Sequence, residues 1–514
     1  ALLFAPTLGI VEKLYVFGAQ VLPDLPWLTQ GLHLFFCAML LMPPAILMGG
    51  TFPVMCRLFA RRKCGGQIGR LYAMNTLGAT FGTFAAGFWL IPALGLFWTG
   101  YLAVALNLVV AEAAYLLARN QPDPASTSFH PDAQSLRPKA VHHRPVLIGI
   151  GLVGLFSLAY EVLWTRVLLL FLGNTVYAFS LILSAFLVGI SLGGALYARL
   201  ARPEMNERRM FCILTLSMGL VVLAMSPFYD QLALAFQWAH DVSGEHWGLL
   251  TFLSFLIVFV IVGPPTILSG ALLPAAVAIL DPGQKLTGAG VGLVVLHNTL
   301  GAVLGSLAAG FMLVPLFGLL ESFQLLALIN VAFGIYLLFR YRPVSALARW
   351  GVASTAVLIG VLFQTTAWDS KLMNSGVYCY AAKYRAMGGM QKVLEDERIV
   401  EVIEGRGTTV AIHESLDGSQ RFFTVNGKTD GGTGRDMSTQ VLIGHLPLLA
   451  HPAPDEVLVI GLGTGITLRG LAQHPVQKID CVEISPEVVE AERYFREANG
   501  NALEEPKIDL IVQD

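Results

Sequence analysis

The chain has 514 residues, of which 55% are hydrophobic and only 13% are charged, and its formal net charge is -2. Soluble proteins carry roughly 25% charged residues, so the composition excludes an ordinary soluble protein and indicates a membrane protein. The nearly neutral charge gives no indication of a nucleic-acid partner. The six cysteines are scattered without a CxxC pair, which predicts buried thiols rather than disulfides or a zinc site, and we expect no bound metal.

An internal repeat occupies the first part of the chain. Three matches occur in the same order: residues 43–53 with 264–274, 75–79 with 298–302, and 90–96 with 313–319. The last two matches share an interval of 223 residues. Such duplications are common in transporter-like folds, so we predict two parallel six-helix membrane repeats, of which the first is truncated.

Long apolar runs predict about ten membrane spans. Six belong to the second repeat, three to the first, and the last is a further candidate before the C-terminal region. The predicted spans are residues 31–55, 68–91, 95–118, 146–171, 174–199, 210–228, 249–279, 287–314, 319–340 and 350–367. The paired glycines Gly78 and Gly82, and likewise Gly301 and Gly305, predict close approach of neighbouring helices.

Basic residues cluster in loops on one side of the predicted spans, and the positive-inside rule makes this the cytoplasmic side of a cell membrane. They are Arg57, Arg61, Arg62, Lys63, Arg70, Arg137, Lys139, Arg144, Arg199, Arg202, Arg208, Arg209, Arg340, Arg342 and Arg349. The opposite loops 229–248 and 316–318 contain no Lys or Arg. The side of the C-terminal region stays open, because it depends on whether 350–367 spans.

The C-terminal region is more acidic, since 22 of the 35 acidic residues follow Ala367. Within it, Val457–Ile460 has the short apolar run of a buried parallel strand, and a glycine-rich turn and a helix from 466 follow. A second strand ends at Glu483, where an acid accepts hydrogen bonds from ribose hydroxyls. Ser485-Pro-Glu predicts the start of another helix, and Ile508–Val512 is the next strand. This order of elements predicts a nucleotide-binding half-fold.

The bare pattern does not distinguish a dinucleotide from an adenosyl sulfonium ligand. Residues 375–514 resemble the spermidine/spermine synthase family of aminopropyl transferases, and the whole chain resembles multi-pass membrane proteins with a fused synthase-like domain. The segments that carry the resemblance are 425–428, 444–449, 461–465, 482–491 and 511–514. The resemblance implies a Rossmann-like S-adenosylmethionine-type domain preceded by a small β-region, with strands such as Thr408–His413 and Arg421–Val425.

The resemblance also implies a donor, decarboxylated S-adenosylmethionine or S-adenosylmethionine, and a set of residues that bind it. Glu483 would hold the ribose and Asp514 the adenine. The predicted donor-binding residues are Gly461, Gly463, Thr464, Gly465, Glu483, Ile484 and Asp514. Thr464 stands where the family has an acid in the loop, so the amine pocket differs from that of the family.

Aminopropyl transfer requires groups that hold a cationic amine, deprotonate its nitrogen and orient it. Asp430 and Asp436 are the candidate catalytic residues, with solvent-facing loop acids as the alternative reading and the main catalytic acid expected beyond residue 514. An ungapped register onto His445 places Asn426-Gly427, Asp430 and Thr439-Gln440 where the family has Asp-Gly, Gln and Tyr-His, so the family's tyrosine and histidine are absent.

The predicted organisation has six parts: a truncated first membrane repeat (1–118), an exposed linker loop (119–145), a second membrane repeat (146–342), a further membrane or interfacial helix (343–369), a small β-region (370–440) and a truncated nucleotide-binding domain (441–514). Both chain ends read as cut, since residue 1 is Ala and Asp514 ends a strand.

Three functions remain open: a membrane-anchored aminopropyl transferase, a transporter-like bundle with a degenerate nucleotide sensor, and an S-adenosylmethionine-dependent methyltransferase. The expected partners are a small-molecule amine or related acceptor and the lipid bilayer, with a homo-oligomer as a further possibility.

Overall fold

The computed structural model describes residues 4–21, 26–59, 64–119, 140–202, 204–280, 287–341, 346–364, 367–405 and 407–513. The first part of the described chain is helical. Its helices are α1 (Phe4–Val21), α2 (Pro26–Phe59), α3 (Cys64–Ala85), α4 (Ile91–Arg119), α5 (Ala140–Leu172), α6 (Val176–Leu200), α7 (Glu207–Met225), α8 (Leu232–Ser243), α9 (Trp247–Leu280), α10 (Thr287–Ala308), α11 (Val314–Phe317), α12 (Leu319–Tyr341) and α13 (Ala346–Gln364).

Eight helical segments in the described residues are long and apolar enough to cross a membrane. They are Leu34–Leu58, Gly66–Leu117, Arg144–Leu172, Val176–Leu200, Glu207–Phe228, Trp247–Leu280, Gly288–Phe317 and Leu319–Arg340. Many large apolar side chains on them are exposed, including Leu47, Phe81 and Trp98. Helices that are apolar on all sides are typical of a lipid environment. The segment Gly66–Leu117 covers two predicted spans, and α13, over the predicted span 350–367, is not among the eight.

The described residues of the predicted linker 119–145 are helical. Helix α5 begins at Ala140, so residues 140–145 are helical rather than loop, and 120–139 lie outside the described residues. Pro145 lies in the second turn of this helix, where it removes one backbone hydrogen bond. Likewise, the predicted loop 229–248 contains helix α8.

Two breaks in the helices recur at one interval. The π-helical segments Ala86–Leu90 and Ala309–Leu313 are 223 residues apart. Gly95 (φ 76°) and Gly318 (φ 82°) follow them at the same interval and interrupt the helical backbone. Only glycine adopts a positive φ at little steric cost, so each break has a sequence cause.

The paired glycines of the two sequence repeats have different surroundings. A Cβ added at Gly301 would stand 1.7 Å from Gly151 O, and one at Gly305 would stand 2.1 Å from Leu155 O, so helices α5 and α10 are in backbone contact at each site. At Gly78 and Gly82 an added Cβ would meet nothing within 4 Å. The prediction of close approach is therefore confirmed for the second pair and wrong for the first within the described residues, because no described element packs against that face.

The C-terminal part begins with three short helices, and two sheets with further helices follow. The helices are α14 (Ser370–Met373), α15 (Val377–Ala386) and α16 (Met390–Glu395). An antiparallel sheet follows in the order β1 (Glu397–Glu404), β2 (Thr409–Ser415), β3 (Arg421–Val425) and β4 (Lys428–Gly432). Asn426 and Gly427, at φ 49° and 82°, form the two-residue turn between β3 and β4, as an Asn-Gly pair favours. The predicted β-region 370–440 thus begins with helices.

The second sheet is parallel, in the order β5, β6 and β7. Its strands and helices are α17 (Met437–Ala450), β5 (Glu456–Ile460), α18 (Ile466–Ala472), β6 (Lys478–Glu483), α19 (Pro486–Glu492), α20 (Arg496–Asn499) and β7 (Ile508–Val512). Buried residues such as Leu468, Leu471 and Ile479 form its core. A separate cluster packs Val488 and Phe495 against Phe423 of the antiparallel sheet, which joins the two sheets into one body.

The chain divides into two compact units, residues 1–153, 187–211 and 267–301, and residues 154–186, 212–266 and 302–514. Within the second unit, ends of the apolar helices and helix α8 form hydrogen bonds with the C-terminal part, at the end of β1 and at residues 368–385. The hydrogen bonds are Arg166 Nη2 to Gly405 O (2.8 Å), Gln237 Nε2 to Ala381 O (3.2 Å), Leu319 N to Glu404 Oε2 (2.7 Å), Trp368 Nε1 to Ser226 O (2.7 Å), Asp369 N to Asp230 Oδ2 (3.0 Å) and Arg385 Nε to Asp241 Oδ1 (2.8 Å).

Candidate functional site

The glycine-rich turn between β5 and α18 has an open and a closed part. Gly461, Gly463 and Gly465 have φ values of 95°, 58° and 75°, so all three use backbone conformations that favour glycine. An added Cβ would meet nothing within 4 Å at Gly461 or Gly463, whereas at Gly465 it would stand 2.7 Å from Asn499 Nδ2. The first two glycines leave room for a ligand to approach the backbone, and the third is required by packing.

Glu483 lies at the carboxyl end of β6 beside this turn, and only 7% of it is exposed. Its Oε2 accepts from Leu462 N at 2.8 Å, and its Oε1 accepts from Ser485 N at 2.9 Å. An ionised carboxylate offers about four acceptor positions, so two remain for ligand hydroxyls. The neighbouring Ile484 is 65% exposed and offers an apolar surface next to the carboxylate.

Ser485 begins helix α19 as the sequence predicts. Its Oγ accepts from Val488 N at 3.4 Å, and Pro486 occupies the first turn. The Ser485 hydroxyl also donates to Glu487 Oε2 at 2.7 Å, and Thr408 Oγ1 donates to the same oxygen at 3.0 Å. These bonds connect the end of β6 to the loop between β1 and β2.

Gln440 connects two of the predicted site residues. Its Nε2 donates to Gly432 O at 2.9 Å and to Asp436 Oδ2 at 3.2 Å, and its Oε1 accepts from Thr464 Oγ1 at 2.5 Å. The Thr464 side chain is buried and its hydroxyl is already bonded within the protein. The structure therefore brings Asp436 and Thr464 together through Gln440. The sequence indicated Gln440 only through its alignment with the family, and it did not indicate this connection.

Asp430 belongs to a second group of polar residues. Lys428 Nζ donates to Asp430 Oδ1 at 3.2 Å, and this bond raises the pKa of Lys428. Tyr380 of α15 accepts from Thr429 N at 3.0 Å through its hydroxyl. Burial raises the pKa of Tyr378 to about 12, and the charge of Asp430 adds to this effect. Asp430 thus lies near phenols, and the structure shows no contact between Asp430 and Asp436.

These tyrosines are functional candidates that the sequence reading missed. The signal was the Tyr-Cys-Tyr run at 378–380, but nothing local to it indicates a contact with a strand about 50 residues later. Asp514 lies outside the described residues. No group of three or more His, Cys, Asp or Glu side chains that could hold a metal ion occurs in the described part of the chain.

Known proteins and a family model are similar to this C-terminal region of the chain. Residues 437–514 match the family model described as spermine/spermidine synthase domain. A polyamine aminopropyltransferase of Bacillus subtilis is 36% identical over 74 residues, which cover 14% of this chain and 27% of that protein. A polyamine aminopropyltransferase of Corynebacterium efficiens is 24% identical over 391 residues, 72% of this chain and 66% of that protein.

Among solved structures, a crystal structure of spermidine synthase in complex with the transition state analogue AdoDATO is similar to part of the chain, with 26% sequence identity and a TM-score of 0.22. The match covers 23% of this chain and 41% of that chain. The chain spans less than two thirds of the length of each of these relatives. Residues 437–514 thus match a spermine/spermidine synthase domain, and in this chain they follow helices that are long and apolar enough to cross a membrane.

Proposed function

We propose that the chain is a membrane-anchored transferase that moves an aminopropyl group from decarboxylated S-adenosylmethionine to an amine acceptor. The observation that carries the proposal is the position of Glu483 in the synthase domain. Its carboxylate is fixed beside an open glycine turn by two backbone N–H groups, as a ribose-binding acid requires. The relatives named polyamine aminopropyltransferase support the same reaction class.

In this reaction the amine nitrogen attacks the aminopropyl carbon next to the sulfonium. A C–N bond forms, the C–S bond breaks with its electron pair going to sulfur, and methylthioadenosine leaves. The attacking nitrogen must lose a proton to a carboxylate or through water. The backbone at Gly461 and Gly463 leaves room for the donor, Glu483 would accept from its ribose hydroxyls, and Ile484 would pack against its adenine.

The acceptor side uses residues from both polar groups of the site. Asp436, oriented by Gln440, would hold or deprotonate the amine, and Asp430 would supply a second negative charge. Tyr380 would supply the phenol that is absent from the family's position upstream of His445. Because Thr464 replaces the loop acid and is bonded to Gln440, the acceptor need not be the diamine that soluble synthases use.

A donor-competition experiment tests this proposal. The full chain in lipid nanodiscs is titrated with 5′-methylthioadenosine by calorimetry, and then assayed with decarboxylated S-adenosylmethionine and with S-adenosylmethionine against a panel of amines. We expect methylthioadenosine to bind and only the decarboxylated donor to support transfer. Transfer of a methyl group from S-adenosylmethionine would instead establish the methyltransferase, and no binding of any adenosyl thioether or sulfonium would refute both enzymes.

The long apolar helices support the proposed membrane anchoring, and the contacts of the helix ends support one orientation. In α12, Leu319 contacts the C-terminal sheet while Arg340 lies near the other end, about 32 Å away at 1.5 Å per residue. The ends that contact the C-terminal domain come from segments without basic loops. With the basic loops cytoplasmic, this arrangement supports a C-terminal domain on the opposite face.

The orientation is tested by labelling with a membrane-impermeant maleimide. Ser419→Cys places a thiol on an exposed loop of the antiparallel sheet, and Glu204→Cys places one in an exposed loop between α6 and α7. Cys37 and Cys379 are exposed, which contradicts the prediction of buried thiols for these two, and both are replaced by Ser before the variants are made. We expect labelling of Ser419→Cys in intact cells and of Glu204→Cys only in inverted vesicles. The reverse result would place the domain, and its donor supply, in the cytoplasm.

Transport through the bundle is a second candidate function. One observation favours it: the helix breaks at Gly95 and Gly318 recur at the interval of the sequence repeat, and discontinuous helices in duplicated folds are typical of transporters. Uptake of a radiolabelled polyamine into proteoliposomes tests it. Flux that depends on the chain would establish transport, and flux absent with and without adenosyl ligands would exclude it for that solute.

A further inference from the structure

A cavity of about 700 Å³ lies where helices α11 and α12 meet strand β1. Volumes of about 300–1,000 Å³ are typical of small-molecule sites. The cavity is separate from the proposed transfer site. Glu404, which lines it, lies on β1, and Asp430 lies on β4, at the other edge of the antiparallel sheet. Three strand spacings of about 4.8 Å separate these edges by about 14 Å.

The cavity is acidic. Glu321 and Glu404 line it, and its lining residues include no Lys or Arg among those the structure describes. A Cβ added at Gly318 would stand 2.7 Å from Glu404 Oε2 and 3.3 Å from Glu321 Oε2, so these oxygens are at most 6.0 Å apart, the sum of the two distances. Two carboxylates this close repel each other, and a cation between them would relieve the repulsion.

Existing donors compensate this charge only in part. Glu404 Oε2 accepts from Leu319 N at 2.7 Å, which uses one of its oxygens. Arg166 attracts Glu404, but its Nη2 donates to Gly405 O at 2.8 Å. The long helical run Gly288–Phe317 ends at the cavity, and the last carbonyls of a helix carry partial negative charge without intrahelical donors. Together these groups favour a positively charged occupant.

A buried amide provides an independent sign of a missing partner. Asn374 lines the cavity and is only 3% exposed. Its Nδ2 donates to Ser370 O at 3.0 Å, but its Oδ1 has no hydrogen-bond partner among the described residues. Buried side-chain oxygens are nearly always bonded, so a donor supplied by a ligand would satisfy this one.

The remaining walls suit an alkyl chain. Leu170 and Met373 present apolar side chains, and Trp368 and Phe317 present aromatic rings. Trp368 is held in place because its Nε1 donates to Ser226 O at 2.7 Å. Aromatic rings attract ammonium groups through their faces and pack against methylene groups. Carboxylates at one place and apolar walls beside them match the chemistry of an aliphatic amine.

We propose that this cavity binds an aliphatic amine as its ammonium cation, at a site distinct from the proposed transfer site. Glu321 and Glu404 hold the ammonium group, Asn374 Oδ1 accepts one of its N–H groups, and the apolar walls hold the methylene chain. The binding itself does not require transferase activity. Its role as a holding site for the acceptor, next to the helix ends, rests on the proposed function.

Calorimetry with 1,4-diaminobutane on the full chain in nanodiscs tests the site. We expect Glu321→Gln to weaken diamine binding on the order of tenfold, because a charged hydrogen bond is lost. Asn374→Leu, which removes the amide oxygen at similar volume, should weaken it severalfold. The matched control Glu395→Gln changes an exposed acid outside the cavity and should bind like the parent. The affinity for 5′-methylthioadenosine, unchanged in all three variants, verifies that they are folded.

Three results would overturn the proposal. The first is that the parent does not bind the diamine, or that both cavity variants bind it with the affinity of the parent. The second is displacement of the diamine by sodium ions at equal concentration, which would assign the site to an inorganic cation. The third is that Glu321→Gln no longer weakens diamine binding when Asp430→Asn is also present. This result would show that the diamine binds at the transfer site and not in the cavity. Failure of methylthioadenosine binding with the diamine result intact would instead refute the proposed function alone.

Discussion

Glu483 and Glu404 each end a β-strand, yet the protein surrounds the two carboxylates differently. Both oxygens of Glu483 accept from backbone N–H groups, and 7% of the residue is exposed. Glu404 has one such bond, from Leu319 N, and lies beside a second acid, Glu321. Burial, the largest effect, raises the pKa of Glu404, and the charge of Glu321 adds to it.

This difference in hydrogen bonding suits the two carboxylates to different kinds of ligand. A carboxylate bonded on both oxygens is oriented before a ligand arrives, which suits the recognition of neutral hydroxyl groups. A carboxylate whose charge is only partly compensated responds to protons and to cations instead. The following changes test whether this contrast between the two sites holds, from the largest expected effect to the smallest.

Glu483→Ala should have the largest effect. It leaves Leu462 N and Ser485 N without partners, so we expect the free energy of unfolding to fall by about 2–5 kcal/mol. Methylthioadenosine affinity should fall by about 100-fold or more, because the ribose loses its acceptor. Chemical denaturation and calorimetry measure the two effects.

The matched control for this change is Glu497→Ala, which removes an exposed acid from helix α20. It should leave both quantities as in the parent. If Glu483→Ala retained the parent's affinity for methylthioadenosine, Glu483 would have only a structural role and the contrast between the two acids would be lost.

Gly465→Ala and Gly463→Ala separate packing from ligand access in the turn beside Glu483. Both introduce a side chain at positive φ, which costs about 1–2 kcal/mol. Only Gly465→Ala also places Cβ at 2.7 Å from Asn499 Nδ2, so we expect a total loss of about 2–4 kcal/mol there. Chemical denaturation of both variants checks the order, and equal losses would contradict the assigned packing role of Gly465.

Glu404 should make stability depend on pH in a defined direction. Its raised pKa means that the folded chain holds the proton to higher pH than the unfolded chain. Between the two pKa values the folded state binds more protons, so the free energy of unfolding falls as pH rises through this window above the usual pKa. Glu404→Gln cannot ionise and should show a flatter profile there. Identical pH profiles of parent and variant would show that the charge of Glu404 is fully compensated.

Ser485→Ala should have the smallest effect. It removes the cap of helix α19 and the bond to Glu487, so we expect a loss of about 1 kcal/mol in the free energy of unfolding. The backbone N–H of Ser485, which binds Glu483, is unchanged, so methylthioadenosine affinity should fall less than threefold. A fall as large as that of Glu483→Ala would mean that the cap, and not the carboxylate bonds, positions the site.

Local sequence signals predicted much of the C-terminal region. The strand Ile508–Val512 is confirmed residue for residue, β5 begins one residue before its prediction, and the Ser485 cap is confirmed. These features depend on residues that are neighbours in the chain. Alternating or continuous apolar residues, glycines and capping side chains act within a few positions, so they can be read without the fold.

Other features depend on what packs against a segment, and the sequence did not contain that information. Gly301 and Gly78 belong to the same repeated motif, but only Gly301 contacts a neighbouring helix in the described structure. The bonds of Gln440 to Thr464 and of Tyr380 to Thr429 join residues 24 and 49 positions apart. The fold decides such contacts, and for that reason the polar groups of the site were only partly predicted.

The bond from Arg166 in helix α5 to the main-chain oxygen of Gly405 has a further consequence. Because this hydrogen bond goes to a main-chain oxygen, it fixes the course of the backbone and does not itself depend on the side chains of the loop. Other contacts restrict two positions of the loop between β1 and β2: a Cβ added at Gly405 would stand 1.5 Å from Glu487 Oε1, and Thr408 Oγ1 donates to Glu487 Oε2 at 3.0 Å. Homologues would be expected to retain the arginine, the loop length and the residues at 405 and 408, while the positions between them diverge.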